Sequence, residues 1–494
     1  MVFAVDVCLL PVTGGSTFVV AAGLFMLIAG VIVTRWVRAS AGRMSVVVAP
    51  LVLLGGLVLA PSATDPCSPA TTIAPTVTTV AATTTTTVAP TTTVVPVDPN
   101  LVLEIDTTVL APTGIDSVTV ADESFVFELG LLGEVDVHID WGDGSTDNVS
   151  DAGPFPHTYT TSGSYIITVS GLLTGFGQEP LNYDFGQPLN GARYLKAVRS
   201  FGELGITSLT LAFWGSTNLI DVPATLPTTV TNTYGMFAEA SSFDGDVSSW
   251  DTGSVTNMSI MFGGASLFNG DVSGWDTGSA TNMQWMFVAA SSFNGDVSGW
   301  DTGSVTNMIA MFERATAFNQ SLSGWETGSV TNMSGMFAGA STFNQSLNNW
   351  DTGSVTNMIF MFGGASSFDG DVSGWETGSV TNMNYMFYGA SSFNQSLGAW
   401  DIKAVVDMTN MLDGSALSVD NYDATLNGWA DTEQVKQLNV TLGADGLYFS
   451  IVGQSAHDVL TNPCGDNPSN WQIVDSGLEP TVINNDQRFA VACS

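Results

Sequence analysis

Basic residues are scarce in this chain: 10 lysines and arginines stand against 46 aspartates and glutamates, and the formal net charge is −36. This balance argues against nucleic acid as a partner, because phosphate binding requires Lys and Arg to displace counterions. Anionic membrane surfaces are disfavoured for the same reason. The acidity itself is typical of a soluble surface that repels copies of itself.

Histidine is nearly absent, with His138, His157 and His457 scattered along 494 residues. Three isolated histidines leave little material for a His-based metal site or a catalytic triad. The sequence also lacks a phosphate-binding glycine loop, a zinc-ligand spacing and a nucleophile elbow. We therefore expect a protein that is not an enzyme and that needs no cofactor.

Cysteine is sparse as well, with four residues in the whole chain. Cys8 precedes the first hydrophobic segment, and Cys67 lies in a linker. Cys464 and Cys493 are the two nearest the C-terminus, and an oxidising compartment would allow them to close a loop. Because sequence alone does not fix connectivity, this disulfide is an expectation only.

The chain is rich in a 25-residue repeat that keeps its phase from about 230 to 412. A Met-Phe pair recurs from Met236-Phe237 to Met386-Phe387 and ends as Met411-Leu412. A period of this length is the signature of a solenoid, in which each unit buries its apolar face only by stacking on its neighbours. The most regular position is a tryptophan column, formed by Trp250, Trp275, Trp300, Trp325, Trp350, Trp375 and Trp400.

One repeat predicts a helix and a strand. Met258, Met261, Phe262 and Ala265 stand at i, i+3, i+4 and i+7, the spacing of one helix face. The segment 271–273 predicts a short strand, and the tryptophan after it sits at a bend, since it follows Val272 by three residues. One strand and one short helix in 25 residues are typical of a leucine-rich repeat.

Two columns are candidates for a binding face. The Trp column is either core or a half-exposed aromatic track. An acidic column follows each tryptophan, and stacking would bring its like charges close together. Either backbone amides of the following Thr-Gly turn or bridging cations must offset that repulsion. The acidic column consists of Asp251, Asp276, Asp301, Glu326, Asp351, Glu376 and Asp401.

The repeat sequence FNGDVSGWDTGSVTNM at 293–308, followed by MF pairs, resembles BspA-like leucine-rich repeat surface proteins of bacteria. The resemblance covers roughly 205–412. It implies a surface-exposed, non-catalytic role in adhesion or recognition, with an extracellular protein or glycan as ligand. It also implies a C-terminal cap, for which the sequence predicts helices at 417–429 and 454–460 and strands at 435–442 and 471–474.

A second motif precedes the repeats. Predicted strands at 118–120, 125–129, 135–139 and 165–169 surround the sequence HIDWGDGS at 138–145 and the sequence HTY at 157–159. These residues resemble a PKD-type domain, which implies an immunoglobulin-like β-sandwich over 101–171. Asp140, Asp143 and Asp147 lie in it; their spacing does not fit an EF-hand, so we expect turn chemistry, while Ca2+ stays open as a ligand.

The N-terminus carries two export-related patterns. The sequence LPVTG at 10–14 and the apolar segment 17–34 resemble a sortase sorting signal, which belongs at a C-terminus. The apolar segment 45–60 and the small residues 61–63 match a secretory signal peptide that starts at Met44. Either residues 1–43 are an extension upstream of the true start, or both segments anchor the chain in a membrane or cell wall. Both interpretations place the rest of the chain outside the cytoplasm.

The predicted fold is mixed: a small PKD-like β-sandwich, a leucine-rich-repeat-like α/β solenoid and an α/β cap. The alternatives to adhesion are a secreted hydrolase or enzyme accessory with a site in the cap, and a purely structural spacer. The predicted parts are 1–43 (extension), 44–63 (signal peptide or membrane segment), 64–99 (Thr/Pro linker), 101–171 (sandwich), 172–235 (entry region and degenerate first repeat), 236–412 (solenoid) and 413–494 (cap).

Overall fold

The structure is a computed structural model of the chain. It divides into two compact units, Met1–Val95 and Pro96–Ser494. In the first unit, strands β1 (Met26–Ile28) and β2 (Val31–Val33) pair antiparallel. The residues that the structure describes are 26–28, 31–33, 98–109, 125–180, 187–431, 437–462 and 470–480.

Several predictions about the N-terminus and the cysteines lie outside the described residues. These are the sorting-signal-like motif, most of segment 17–34, all of segment 45–60, the linker up to residue 97 and all four cysteines. The cleavage after residue 63 and the Cys464–Cys493 disulfide therefore stay predictions.

The second unit opens with one six-stranded antiparallel sheet in the order β5-β4-β7-β3-β8, with β6 paired to β4. Inward residues alternate along its strands, as Leu101, Leu103 and Ile105 show. The strands are β3 (Leu101–Asp106), β4 (Phe125–Asp140), β5 (Thr146–Val149), β6 (Gly153–Tyr159), β7 (Ser164–Phe176) and β8 (Leu195–Phe201), with a 3-10 helix at Ala192–Tyr194.

The sheet differs from the predicted sandwich in two respects. Among the described residues all six strands are hydrogen-bonded into one sheet. The sheet also continues past residue 171, since β7 ends at Phe176 and β8 lies within the segment predicted as the entry region to the repeats. The predicted strand at 118–120 lies outside the described residues.

The sheet passes directly into the repeats. Gly175 in β7 forms a parallel bridge with Ser208, and the Phe176 N–H donates to the Ser208 carbonyl at 2.9 Å. The Phe176 and Phe213 rings lie 5.9 Å apart. One hydrophobic core runs without a break from Leu101 to Trp471, so the sheet covers one end of the repeat stack.

The repeats stack as parallel turns. Every repeat makes one isolated parallel bridge to the next, at Asn232, Asn257, Asn282, Asn307, Asn332, Asn357, Asn382 and Asp407. On either side of that bridge, alternate backbone N–H groups donate to the following repeat. For example, Ile260 donates to the Gln284 carbonyl at 2.9 Å and Phe262 to that of Met286 at 2.9 Å.

The helix predicted at 255–265 is wrong. The Met261 N–H donates to the Met258 carbonyl three residues back, whereas the Phe262 N–H leaves the turn for the next repeat. Ile260 between them has a φ of 60°, a left-handed conformation that interrupts a right-handed helix. The i, i+3, i+4, i+7 spacing arises instead from consecutive tight turns, whose inward residues recur at nearly the same interval.

The strand predicted at 271–273 is also wrong. The Asp271 Oδ1 accepts bonds from the Ser273 N–H and hydroxyl, and the Trp275 N–H closes a turn on the Val272 carbonyl at 3.2 Å. An aspartate that bonds the backbone two residues on favours a turn over a strand. The tryptophan does sit at a bend, as predicted. Within the described repeats the α/β description therefore fails, because each repeat consists of turns and a single bridge.

Helices do occur after the repeats, at α1 (Val419–Trp429) and α2 (Ile451–Thr461). The parallel strands β9 (Thr441–Gly443) and β10 (Gln472–Val474) accompany them. These elements overlap the four predicted for 413–494, and Met408 bridges to Leu442 to join them to the last repeat. Both helices are 11 residues long; among the described residues no helix has the length and apolarity to cross a membrane.

Candidate functional site

The Trp column is core and not a binding face. Its side chains are 0–4% exposed, and neighbouring rings lie nearly parallel at 5.8–6.5 Å. Each indole N–H is also satisfied internally: Trp300 donates to the Val272 carbonyl at 3.0 Å, and the other copies follow the same pattern. The correction applies to Trp250, Trp275, Trp300, Trp325, Trp350, Trp375 and Trp400.

The acidic column is at the surface, as predicted, and its aspartates bond the backbone of the following turn. Asp251 Oδ1 accepts the Gly253 N–H at 3.1 Å, and Asp276, Asp301 and Asp351 make the same bond with the glycine two residues on. In Asp401 the donor is the Lys403 N–H. Two ways to offset the like-charge repulsion were predicted, backbone amides and bridging cations. At the aspartates, backbone amides donate to the carboxylates. Glu326 and Glu376 make no such bond among the described residues.

The glycine of each Thr-Gly turn makes room for the next carboxylate. A Cβ built on Gly253 would lie 3.1 Å from Asp276 Oδ2, and one on Gly328 would lie 2.8 Å from Asp351 Oδ2.

A surface cavity of about 400 Å3 lies beside Glu376 at the far end of the column. Within the described ranges, no group of three His, Cys, Asp or Glu side chains is placed to hold a metal ion.

The aspartates at positions 140, 143 and 147 bond groups of the protein itself. Asp147 Oδ2 accepts the indole N–H of Trp141 at 2.8 Å, and Asp140 Oδ1 accepts the Gly142 N–H. Asp143 bonds Ser145 and lies 2.9 Å from the His157 ring nitrogen. Burial raises the pKa of Asp143, but these hydrogen bonds outweigh it and lower that pKa to about 2. The predicted turn chemistry is confirmed for Asp140 and Asp143, whereas Asp147 lies in β5 and bonds a side chain.

A second surface of the repeats, which we call the variable face, was not predicted. It lies beside the parallel bridges and comprises four positions of each repeat, represented by Ser259, Ile260, Gly263 and Gly264. The buried residues that flank it, represented by Met258, Met261, Phe262 and Ala265, hardly change, whereas these four positions vary from copy to copy. At the Ile260 position the successive residues are Leu211, Gly235, Ile260, Trp285, Ala310, Gly335, Phe360, Tyr385 and Asn410.

The Ile260 position is conformationally strained. Seven of its nine residues are not glycine, yet all seven have φ between 50° and 60°. This left-handed region costs an L-residue about 1–2 kcal/mol, and bulky residues there are genuine outliers. Gly235 and Gly335 show that glycine fits the same position with φ of 58° and 66°. Large side chains therefore persist where glycine would be easier to accommodate, a pattern that accompanies function.

Aromatic and apolar side chains collect on the variable face outside the main core. Leu211, Trp214, Ala238 and Ile260 form a separate buried cluster, against which Tyr234 and Trp285 pack half-buried. Farther along, the Phe360 and Tyr385 rings stack at 4.6 Å. Tyr388 lies edge-on to Tyr385 at 5.4 Å and is 45% exposed.

Unpaired polar atoms also collect there. Five buried side-chain polar atoms lack a hydrogen-bond partner in the described residues, and three lie on the variable face: Trp285 Nε1, Glu313 Oε2 and Asn384 Oδ1. Glu313 is 5% exposed, and burial raises its pKa to about 7 against the opposing charge of Arg314. Such atoms are rare in folded proteins and call for an explanation each time.

The sequence does contain the signal that would have found this face. Between the constant Asn-Met and Met-Phe pairs stand Ser-Ile, Gln-Trp, Ile-Ala, Ser-Gly, Ile-Phe and Asn-Tyr in consecutive repeats. Variation at two adjacent positions that are flanked by constant buried pairs is typical of residues that do not serve the stack. The two predicted binding columns are both constant columns, and neither includes these positions.

Comparison with known proteins gives a match for the repeat region and α1 only. No curated protein and no solved structure matches the chain. Residues 207–325 and 310–429 each match a protein family described as "Mycoplasma protein of unknown function, DUF285". The two matches together span the repeats and α1, which is less than half of the chain. The repeat region of this protein is therefore similar to the repeats of that family.

Proposed function

We propose that this chain is a non-catalytic bacterial surface protein that recognises an extracellular protein or glycan through the variable face of its repeats. On this proposal the repeats are a solenoid of the BspA-like type that is built from turns, and the sheet before them is a divergent PKD-type domain. The export patterns within residues 1–63 support a location outside the cytoplasm.

The observation that carries the proposal is the left-handed backbone at the Ile260 position. The backbone of the stack adopts φ near +57° at this position, and glycine meets that requirement at lower conformational cost. Trp285, Phe360 and Tyr385 instead hold large rings there. Strain of this kind, repeated in register, favours a role for the side chains outside the fold.

The isolation of Glu313 from other reactive side chains favours binding over catalysis. In the part of the chain that the structure describes, Glu313 is the one carboxyl group with a raised pKa. Its charged neighbour is Arg314, 4.0 Å away, and no second carboxylate, histidine or hydroxyl among the described residues is hydrogen-bonded to it. A catalytic site would need a partner group for proton transfer or nucleophilic attack.

The test is a binding screen of the full-length chain on arrays of extracellular matrix proteins and of glycans. A triple variant (Trp285→Gly, Phe360→Gly, Tyr385→Gly) is screened beside it, and a Glu326→Gln variant of the acidic column is the control. We expect the triple variant to lose binding and the control to keep it. Binding by the triple variant at the wild-type level, or no ligand on either array, would make the repeats a spacer.

A further inference from the structure

We propose that the ligand of the variable face is an uncharged saccharide chain that lies along the stack between Trp285 and Tyr388. This inference rests on the proposed function and selects one of its two ligand classes. It is carried by three features of the face: its aromatic rings, its unpaired polar atoms and its satisfied backbone.

The rings supply apolar surfaces of the size of a sugar. Trp285, Phe360 and Tyr385 project from one strained position in register, and Tyr388 presents an exposed ring beside them. Ala310 and Gly335, both buried, separate Trp285 from Phe360 along the same column. A few aromatic groups with intervening polar atoms are the usual lining of a site that orients a small polar molecule.

The unpaired atoms require a ligand that both donates and accepts hydrogen bonds. Glu313 Oε2 and Asn384 Oδ1 each accept a donor, whereas Trp285 Nε1 needs an acceptor. A hydroxyl group meets either need because it carries one donor and two acceptor lone pairs. The Glu313 side chain is 7% exposed, and its Oε2 is one of the buried oxygens without a partner.

The atoms are spread over a distance that suits a chain rather than a single sugar. Trp285 and Asn384 are separated by four repeats, which corresponds to about 19 Å at the spacing of neighbouring strands. The 4.6 Å separation of the Phe360 and Tyr385 rings agrees with that spacing. Regularly placed contacts over such a length favour a linear ligand with a repeating unit.

An extended peptide is disfavoured because the backbone of this face is already paired. Alternate N–H groups, from Met258 to Gly264, donate to the next repeat, so the face offers no free edge for strand addition. A sulfated or carboxylated saccharide is disfavoured by the net charge of −36. The remaining class is an uncharged saccharide.

The test compares three full-length proteins on immobilised neutral oligosaccharides of β-linked glucose and N-acetylglucosamine, with sulfated oligosaccharides and matrix proteins on the same array. They are the wild type, the double variant Phe360→Gly/Tyr385→Gly and the matched control Asn439→Gly, which lies in the segment before β9 and outside the variable face. All three exchanged positions have φ between 57° and 60°, so glycine suits each backbone. Thermal unfolding of all three verifies that they are folded.

We expect the wild type to bind neutral oligosaccharides, Asn439→Gly to bind equally, and the double variant to lose about tenfold or more in affinity with the loss of two ring contacts. Equal binding by the double variant, or binding to sulfated oligosaccharides alone, would overturn the proposal. Binding to a matrix protein alone, lost in the double variant, would overturn the saccharide and leave the proposed function intact. Absence of any ligand would defeat both.

Discussion

Trp325 illustrates how a single residue serves the stack. Its ring lies parallel to those of Trp300 and Trp350 at 6.3 and 6.4 Å, and its indole N–H donates to the Val297 carbonyl at 2.9 Å. Both the apolar surface and the one polar atom are satisfied inside the protein. The residue therefore contributes to stability and has no group left for a ligand.

Replacing Trp325 with Ala should lower the free energy of unfolding by roughly 3–5 kcal/mol, because it leaves a large cavity and an unpaired carbonyl. Chemical denaturation of the full-length protein measures this change. The neighbouring Glu326→Gln exchange, at an exposed position, should change it by less than about 0.5 kcal/mol. Equal denaturation midpoints for Trp325→Ala and wild type would contradict the core assignment.

Glu313 makes stability depend on pH in the direction opposite to most carboxylates. Its pKa is about 7 in the folded protein against 4.5 as its ordinary value, so the folded state holds the proton more tightly. The contribution of Glu313 to the free energy of unfolding is therefore greatest below pH 4.5. It falls by roughly 3 kcal/mol in total as the pH rises toward 7. Denaturation at a series of pH values, with Glu313→Gln as reference, isolates the contribution.

In the Glu313→Gln protein this decline between pH 4.5 and 7 should disappear, since the amide does not titrate. Asp143, whose pKa is lowered to about 2, contributes the opposite slope at lower pH, in both proteins alike. The difference between the two curves is therefore the quantity to compare. A constant difference across the window would show that Glu313 is ionised throughout.

At the residue scale the sequence predicts which side chains face inward and misses the sign of φ. Met258, Phe262 and Trp275 are buried as their regular spacing suggests. The left-handed conformation of Ile260 or Tyr385 is imposed by hydrogen bonds to the following repeat. Local propensity opposes it, since neither residue type favours a positive φ. The sequence of a single repeat therefore does not reveal the unusual backbone at the Ile260 position, which distinguishes one repeat from another.

Among the elements, the contrast between α1 and the repeat turns shows what periodicity resolves. Tyr422, Leu426 and Trp429 recur on one face of α1, and Ser418 caps its first turn through the Asn421 N–H. In the repeats, a similar spacing belongs to turns whose hydrogen bonds alternate between the turn itself and the adjacent repeat. The pattern identifies a buried face in both cases but identifies a helix only where the bonds stay within the segment.

Whole repeats should be removable. Deleting residues 276–325 joins Trp275 to Glu326 and restores the sequence order of an intact repeat. Because each turn bonds only its two neighbours, the shortened protein should fold cooperatively with an unchanged type of circular dichroism spectrum. Its affinity should fall, since Trp285 and Glu313 are lost.

A deletion that breaks the phase provides the control. Removing residues 276–320 leaves a unit five residues too long, so the Asn bridges and the buried columns no longer meet across the junction. This protein should lose its cooperative unfolding transition. If both deletions fold equally well, the register seen in the Asn and Trp positions does not determine the stack.

Across the whole molecule, charge works against the compact state. The net charge is −36, and the acidic column adds one exposed carboxylate per repeat with few cations nearby. Aspartate bonds to backbone amides offset part of this repulsion, but unlike ion pairs they do not cancel the charge. Salt should therefore stabilise the protein, because screening acts on like charges within a Debye length of about 10 Å at 0.1 M.

Raising NaCl from about 0.01 M to about 0.5 M should raise the thermal unfolding midpoint by several degrees. A variant with Asp251→Asn, Asp276→Asn and Asp301→Asn keeps a side-chain oxygen for each glycine N–H while removing three charges. Its midpoint should be higher at low salt and less sensitive to added salt. A midpoint that falls with salt in both proteins would mean that attractive ion pairs dominate.

The direction of the inter-repeat hydrogen bonds has a mechanical consequence. The bonds on either side of each Asn bridge point along the stack, as do those from Thr252 to the Asp276 carbonyl and its copies. A force applied along that axis breaks the hydrogen bonds of one inter-repeat junction after another. It does not load all junctions at once in shear. Each repeat that detaches adds about 80 Å of free chain in place of about 5 Å of stack. Held between a surface and its ligand, such a protein lengthens in steps under tension and dissipates work before the attachment is lost.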